Sequence, residues 1–114
     1  MLDPDYQRTD ARGAADWIDE HGPPGAPLVD WPGPHGIRTY LDPSRQVFTP
    51  AQFAPAQWAT AARRRTPVLM SFPDVDGPGR LFVPPPQARG YRLVAKHRAR
   101  GIPSPLIVRE YAPR

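Results

Sequence analysis

DARGAADWIDEHGPPGAPLVDW, residues 10–31, reads as a helix, a hard stop and a buried strand, and it sets the fold class of the chain. Thr9 or Asp10 can cap the helix, because a short side-chain oxygen accepts a free N–H of the first turn. Ala11, Ala14, Ala15 and Ile18 recur at i, i+3, i+4 and i+7 and so form one apolar face. Trp17 lies at the edge of that face, while Asp16, Asp19 and Glu20 point away from it. Gly22 suits a left-handed residue after the last turn, and Pro23 and Pro24 block continuation. Leu28, Val29 and Trp31, bounded by Pro27 and Pro32, read as a short strand. A helix joined tightly to a strand predicts an α/β unit.

The same reading extends along the chain. Helix one covers about 10–21 and strand one about 27–31. Residues 32–45 form a loop with one helical turn around Ile37 to Leu41, and Gln46 to Phe48 is a short strand. Thr49-Pro50 pairs a cap with a proline at a first helical position. Pro55 divides that region, so the second helix is predicted over 55–65, with Ala54, Trp58, Ala61 and Ala62 inward. Arg63, Arg64 and Arg65 close it, where cations suit the helix dipole. TPVLMSF at 66–72 is the clearest strand, and PDVDGPG is a turn cluster. RLFV at 80–83 is a further short apolar run before the PPP of 84–86. Residues 90–99 alternate, with Tyr91, Leu93 and Ala95 on one side, and 104–112 is a last strand. Gly101 and Pro103 favour an antiparallel hairpin between these two. The predicted fold is α/β, over 1–114 as one domain: a small, mainly parallel sheet flanked by helices, a Rossmann-like sandwich, with a C-terminal antiparallel hairpin.

Composition sets the bounds of this reading. At 114 residues the chain can bury roughly two-thirds of its unfolded surface. Its 18 prolines shorten helices and lengthen connections, since each removes a donor and fixes φ. Three Trp, four Tyr and four Phe argue against full disorder. The absence of cysteine excludes disulfides, thiolate metal sites and cysteine nucleophiles. No run approaches the roughly 18 apolar residues of a membrane span, and no signal peptide is recognised. Charge is uneven: residues 1–62 carry a net −4 and residues 63–114 a net +8, which together give the chain its +4. A basic half favours anionic lipid, phosphate or nucleic acid. Plain solvation of arginines is the simpler account.

No catalytic residue emerges. Asp74 and Asp76, in DVD, resemble the Asp-x-Asp that holds a metal and a sugar-nucleotide diphosphate, because two carboxylates two residues apart can share a hard cation. Their setting in Pro-Asp-Val-Asp-Gly-Pro-Gly reads more strongly as a turn. PGPHG at 32–36 follows strand one, where α/β proteins often bind phosphate, but Pro32 and Pro34 remove two of the N–H donors such a cradle needs. His21, His35 and His97 are too dispersed to suggest a metal centre, and neither a metal nor a cofactor is expected. Ser44, Ser71 and Ser104 have no evident base partner, and Asp19 and Glu20 face solvent. KHRAR at 96–100, with Tyr91 and Tyr111, matches a basic, aromatic-flanked nucleic-acid surface in composition, without any recognition motif behind it.

The order of segments resembles a known family. YQRTDARGAADWIDEHGPPGAPLVDWPG at 6–33 resembles the start of the soluble C-terminal domain of membrane glycosyltransferases of the protein-mannosyltransferase-like, family 39 type, which have a many-helix C-type fold. In that family a D-x-R-G-A-A-x-x-I helix leads through a Gly/Pro turn into a V-V-D strand. Here Asp10, Arg12, Gly13, Ala14, Ala15 and Ile18 match, followed by Gly25, Leu28, Val29 and Asp30. RTYL at 38–41 and GYRLVAKHRARGIPSPLIVREYAP at 90–113 resemble the later segments. The proline load and PPP depart from the pattern. The resemblance implies an excised, extracytoplasmic accessory domain beside the membrane, inactive alone. In such enzymes the catalytic carboxylate belongs to the membrane part, and the sugar comes from a polyprenyl phosphate. It implies as partners the transmembrane part of the parent enzyme, a glycan or polyprenyl-phosphate sugar, and an anionic membrane surface. Trp31, Tyr40 and Trp58 are then the aromatics to consider for sugar stacking, with core packing the first account of Trp58. The reading from another class is a free-standing cytoplasmic module that binds nucleic acid or protein.

Overall fold

A computed structural model describes residues 10–31, 36–73, 90–100 and 105–114. Its elements are α1 (Ala11–His21), β1 (Leu28–Asp30), a 3-10 turn (Ile37–Thr39), β2 (Val47–Phe48), α2 (Pro55–Arg63), β3 (Val68–Pro73), β4 (Tyr91–Ala99) and β5 (Leu106–Pro113). The fold is α/β, with five strands in the order β2-β1-β3-β5-β4. β1 pairs in parallel with β2 and with β3, whereas β5 runs antiparallel to both β3 and β4. The sheet is therefore mixed rather than mainly parallel. The cause lies in β5, which is apolar on both faces: Leu106 and Val108 join one core cluster, Tyr111 and Ile107 the other. Such a strand belongs inside a sheet. β4, which carries Arg92, Lys96 and Arg98 exposed, takes the edge. The expected strand at 80–83 lies outside the described residues.

The two faces have separate cores. On one, α1 buries Ala11, Ala14, Ala15 and Ile18 against Leu28, Leu69, Leu106 and Val108, the face its spacing predicts. Ile37 from the 3-10 turn and Leu41 complete this layer. On the other, Trp58 and Ala61 of α2 cover Val29, Val68, Met70 and Phe72, with Tyr91 and Tyr111. Asp10 caps α1 by accepting the Gly13 N–H at 2.9 Å.

Both helix ends differ from expectation in an instructive way. Gly22 is extended (φ −72°, ψ 131°), not left-handed, and its N–H closes the helix on Ile18 O at 2.7 Å. A residue before proline is pushed out of the helical region. What requires glycine here is space: a Cβ would lie 2.6 Å from Ile18 O and 2.7 Å from Leu69 Cδ1. α2 ends at Arg63 in a Schellman pattern, Thr66 N–H to Ala61 O at 2.9 Å and Arg65 N–H to Ala62 O at 3.1 Å. The left-handed position falls on Arg65 (φ 54°). Thr49 does cap, through reciprocal bonds with Gln52, but a single turn follows before Pro55 opens α2.

Asp19 does not simply face solvent. Arg45, whose side chain is 6 % exposed, threads between α1 and β1 and donates from Nη1 to Pro23 O (3.0 Å) and Ala26 O (2.9 Å). Its Nη2 reaches Ile18 O and Asp19 Oδ1 more loosely, at 3.4 and 3.5 Å. Asp19 Oδ2 accepts the Asp42 N–H at 2.9 Å. The turn after α1 is thus fastened to the loop before β2 by one guanidinium. Alternation along β4 also breaks. A bulge between Leu93 and Ala95 moves Ala95 opposite Glu110, so Leu93 and Ala95 no longer share a face.

Candidate functional site

Besides the Arg45 clamp, two places among the described residues gather polar side chains. The first is the crevice beyond the carboxyl ends of β1 and β3, where the chain leaves β1 for neighbours on either side and where α/β proteins bind ligands. Asp30 and Ser71 are buried here, 3 % and 0 % exposed. Ser71 Oγ donates to Asp30 Oδ1 at 2.7 Å, and Arg38 Nε approaches Asp30 Oδ2 at 3.4 Å. The Trp31 N–H donates to Ser71 O at 2.9 Å. A serine whose proton goes directly to a carboxylate, with no imidazole between them, is not the nucleophile–base arrangement of acyl transfer. Chemically the trio is a tie: it holds the ends of β1 and β3 and the 3-10 turn in one geometry.

The second is a groove of about 300 Å³ at the opposite, amino ends of β1 and β3, flanked by α2. Phe48 and Phe53 give it an apolar wall, and Gln46, Gln57, Arg64 and Thr66 bring amide, guanidinium and hydroxyl groups to its rim. Gln46, Gln57 and Arg64 are exposed. Phe48 and Phe53 meet at 5.4 Å between ring centroids, and Trp58 stands edge-on to Phe53 at 5.0 Å, so the wall is rigid. Thr66 is engaged on its backbone: its carbonyl accepts the Tyr91 hydroxyl at 2.9 Å. Burial raises the Tyr91 phenol above its ordinary pKa.

The residues expected to bind do not converge. Trp31 is half-buried and packs on the α2-side core, whereas Tyr40 is 43 % exposed on the α1 side, under the Arg12 guanidinium at 5.1 Å. Trp58 is a core residue, 9 % exposed. Asp74 and Asp76 lie outside the described residues. The structure does bring two dispersed histidines to one ring: Trp17 stacks with His21 (4.9 Å) and with His97 (5.6 Å). Among the described residues no three His, Asp or Glu side chains gather as metal ligands.

Sequence reasoning missed the groove because its signal is spread thinly. In the sequence Phe48 belongs to a short strand and Arg64 to the cations that close the second helix, and nothing singles out Phe53 or Gln57. Only the pairing of β2 with β1 sets them around one hollow. No helix among the described residues is long and apolar enough to cross a membrane. Comparison of the chain with protein-family models, with curated proteins and with solved structures gives no match.

Proposed function

We propose that this chain is a non-catalytic accessory domain of a polyprenyl-phosphate-sugar-dependent membrane glycosyltransferase, where it holds the acceptor glycan. A Rossmann-like kinship of the sandwich and a place on the extracytoplasmic face of the membrane belong to the same reading. The observation that carries it is the α2 groove. Sugars are recognised by an apolar ring face for their C–H surface together with planar amide and guanidinium groups for their hydroxyls. Phe48 and Phe53 supply the first, and Gln46, Gln57 and Arg64 the second. The volume suits one or two sugar units.

The test is a titration of the ¹⁵N-labelled chain with neutral oligosaccharides and, separately, with short polyprenyl-phosphate analogues. Amide and side-chain signals of Gln57, Arg64 and Thr66 should move, and Gln57→Ala should weaken the effect without altering the melting temperature. Shifts confined to Trp31 or Tyr40 would refute the groove assignment. No shift with any saccharide at millimolar concentration would end the ligand-holding role. Sugar transfer by the isolated chain would refute the non-catalytic one.

A further inference from the structure

The outer edge of the sheet is unlike the rest of the surface. Among the described residues β4, nine residues from Tyr91 to Ala99 and about 30 Å long, is the edge strand. It carries no acid: Arg92, Lys96 and Arg98 are exposed along it, and Arg100 follows directly. At its start the exposed Arg114 and Arg65 sit close by, since Arg114 N–H bonds Gly90 O and Arg65 reaches Arg114 O. Two acids among the described residues lie beside it. Glu110 is half-buried on β5 opposite Ala95, and Asp10, which bonds Arg100 O through its backbone, turns its carboxylate to the α1 cap. In the middle of this basic edge the bulge thrusts out two aliphatic side chains, Leu93 at 40 % and Val94 at 41 % exposure.

We propose that the β4 edge is a docking surface for an anionic lipid bilayer, with Arg92, Lys96 and Arg100 at the headgroups and Leu93 and Val94 entering the interface. Cations flanking a protruding apolar pair are the composition of an interfacial anchor. A second copy of the chain does not fit this edge, because antiparallel pairing would oppose like charges. Protection of an edge against aggregation explains charges and a bulge, but it is defeated by two aliphatics at the most exposed point. Nucleic acid is disfavoured by the aromatics: Tyr91 and Tyr111, which a single-strand platform would present for stacking, are 0 % and 1 % exposed. The inference stands on the β4 edge alone and goes beyond the glycan reading. The groove titration with neutral oligosaccharides uses no lipid and reads other residues, so either can fail without the other.

The experiment is sedimentation of the full chain with phosphatidylcholine vesicles, with and without phosphatidylglycerol, across a salt series. Binding should require the anionic lipid and weaken as salt rises. Each basic residue near such a surface contributes roughly a fivefold factor, so Arg92→Gln with Lys96→Gln should lower partition about 25-fold. The charge-matched pair Arg12→Gln with Arg63→Gln, whose guanidinium groups engage Tyr40 and Thr60 rather than β4, should change it little. Leu93→Ser with Val94→Ser should weaken binding at every salt concentration. Far-ultraviolet circular dichroism and urea midpoints confirm that each variant is folded, and Leu93→Ala with Val94→Ala replaces the serine pair if that one is not. Equal losses in the two charge-matched pairs, equal binding to uncharged vesicles, or no effect of the aliphatic pair would overturn the proposal. So would tighter binding to duplex DNA than to anionic vesicles at the same salt.

Discussion

Arg45 offers the sharpest test of how the α1–β1 corner is held. Replacement by methionine keeps the aliphatic stem and removes the guanidinium. The structure then loses two short donations, to Pro23 O at 3.0 Å and Ala26 O at 2.9 Å, and two long ones at 3.4 and 3.5 Å. Hydrogen bonds to charged groups contribute about 1.5–3 kcal/mol each, and the long pair adds little. Asp19 is not stranded, because it keeps the Asp42 N–H, so the larger penalty for an abandoned buried charge does not apply. The expected cost of Arg45→Met is about 3 kcal/mol, and Arg45→Ala, which also empties the space of the stem, should cost about 4–5 kcal/mol. Arg45→Lys should recover only part, since one ammonium cannot replace the planar fork. The assay is urea unfolding followed by tryptophan fluorescence, where about 3 kcal/mol lowers the midpoint by roughly 2 M for a chain of this size. A midpoint for Arg45→Met within about 0.3 M of the parent would show that water satisfies those carbonyls and that the corner does not depend on Arg45.

Three further outcomes are expected. Gly22→Ala should lower stability by about 2–3 kcal/mol, because the new methyl would meet the Ile18 carbonyl and Leu69, and an unchanged melting curve would refute the close approach. Arg65→Gly should raise stability by about 1 kcal/mol by relieving a positive φ on a residue with a Cβ, net of the long contact to Arg114 O; calorimetry showing no gain would count against the Schellman ending. Tyr91 has its phenol pKa raised in the fold, so its stabilisation is complete below the unfolded value of about 10 and is lost as pH rises toward the folded one. Tyr91→Phe should therefore flatten the alkaline fall of the unfolding midpoint, at a cost of about 1 kcal/mol near neutrality for the bond to Thr66 O, and an alkaline fall of undiminished slope would contradict this.

What the sequence makes legible follows the range of the interactions involved. The inner face of α1 is fully readable, because Ala11, Ala14, Ala15 and Ile18 encode it within eleven residues and the Asp10 cap is local. β3 is readable because five consecutive buried residues between prolines have no other good solution. The mixed sheet is less accessible. Whether β5 lies inside or at the edge depends on comparing its two apolar faces with the charged faces of β4, a contest between strands rather than a property of either. Arg45 illustrates the same limit. In the sequence it is a basic residue in a proline-bounded loop, and only the return of that loop onto α1 converts it into a buried clamp. Asp30 and Ser71 stand forty-one positions apart, and the Ser71 hydroxyl donates to Asp30 only because β1 and β3 pair in register.

The aromatic side chains show how the two proposed surfaces share one support. Phe48, Phe53, Trp58 and Tyr91 follow one another at 5.4, 5.0 and 5.3 Å between centroids, and the last two contacts are edge-on. The first two rings are the wall of the groove, and the last opens β4, one residue before Arg92. Trp58 is therefore neither a sugar platform nor filler for one helix: it spaces the groove from the basic edge. A change at Trp58 disturbs both surfaces through the fold, so loss of either binding activity in such a variant says nothing about contact. Substitutions beyond the ends of the ladder carry that information, because Gln57 and Lys96 are exposed and each belongs to one surface alone. Retained lipid partition in Gln57→Ala together with retained glycan shifts in Lys96→Gln would establish two independent sites on one rigid body. Simultaneous loss in either variant would reduce them to a single property of the folded domain.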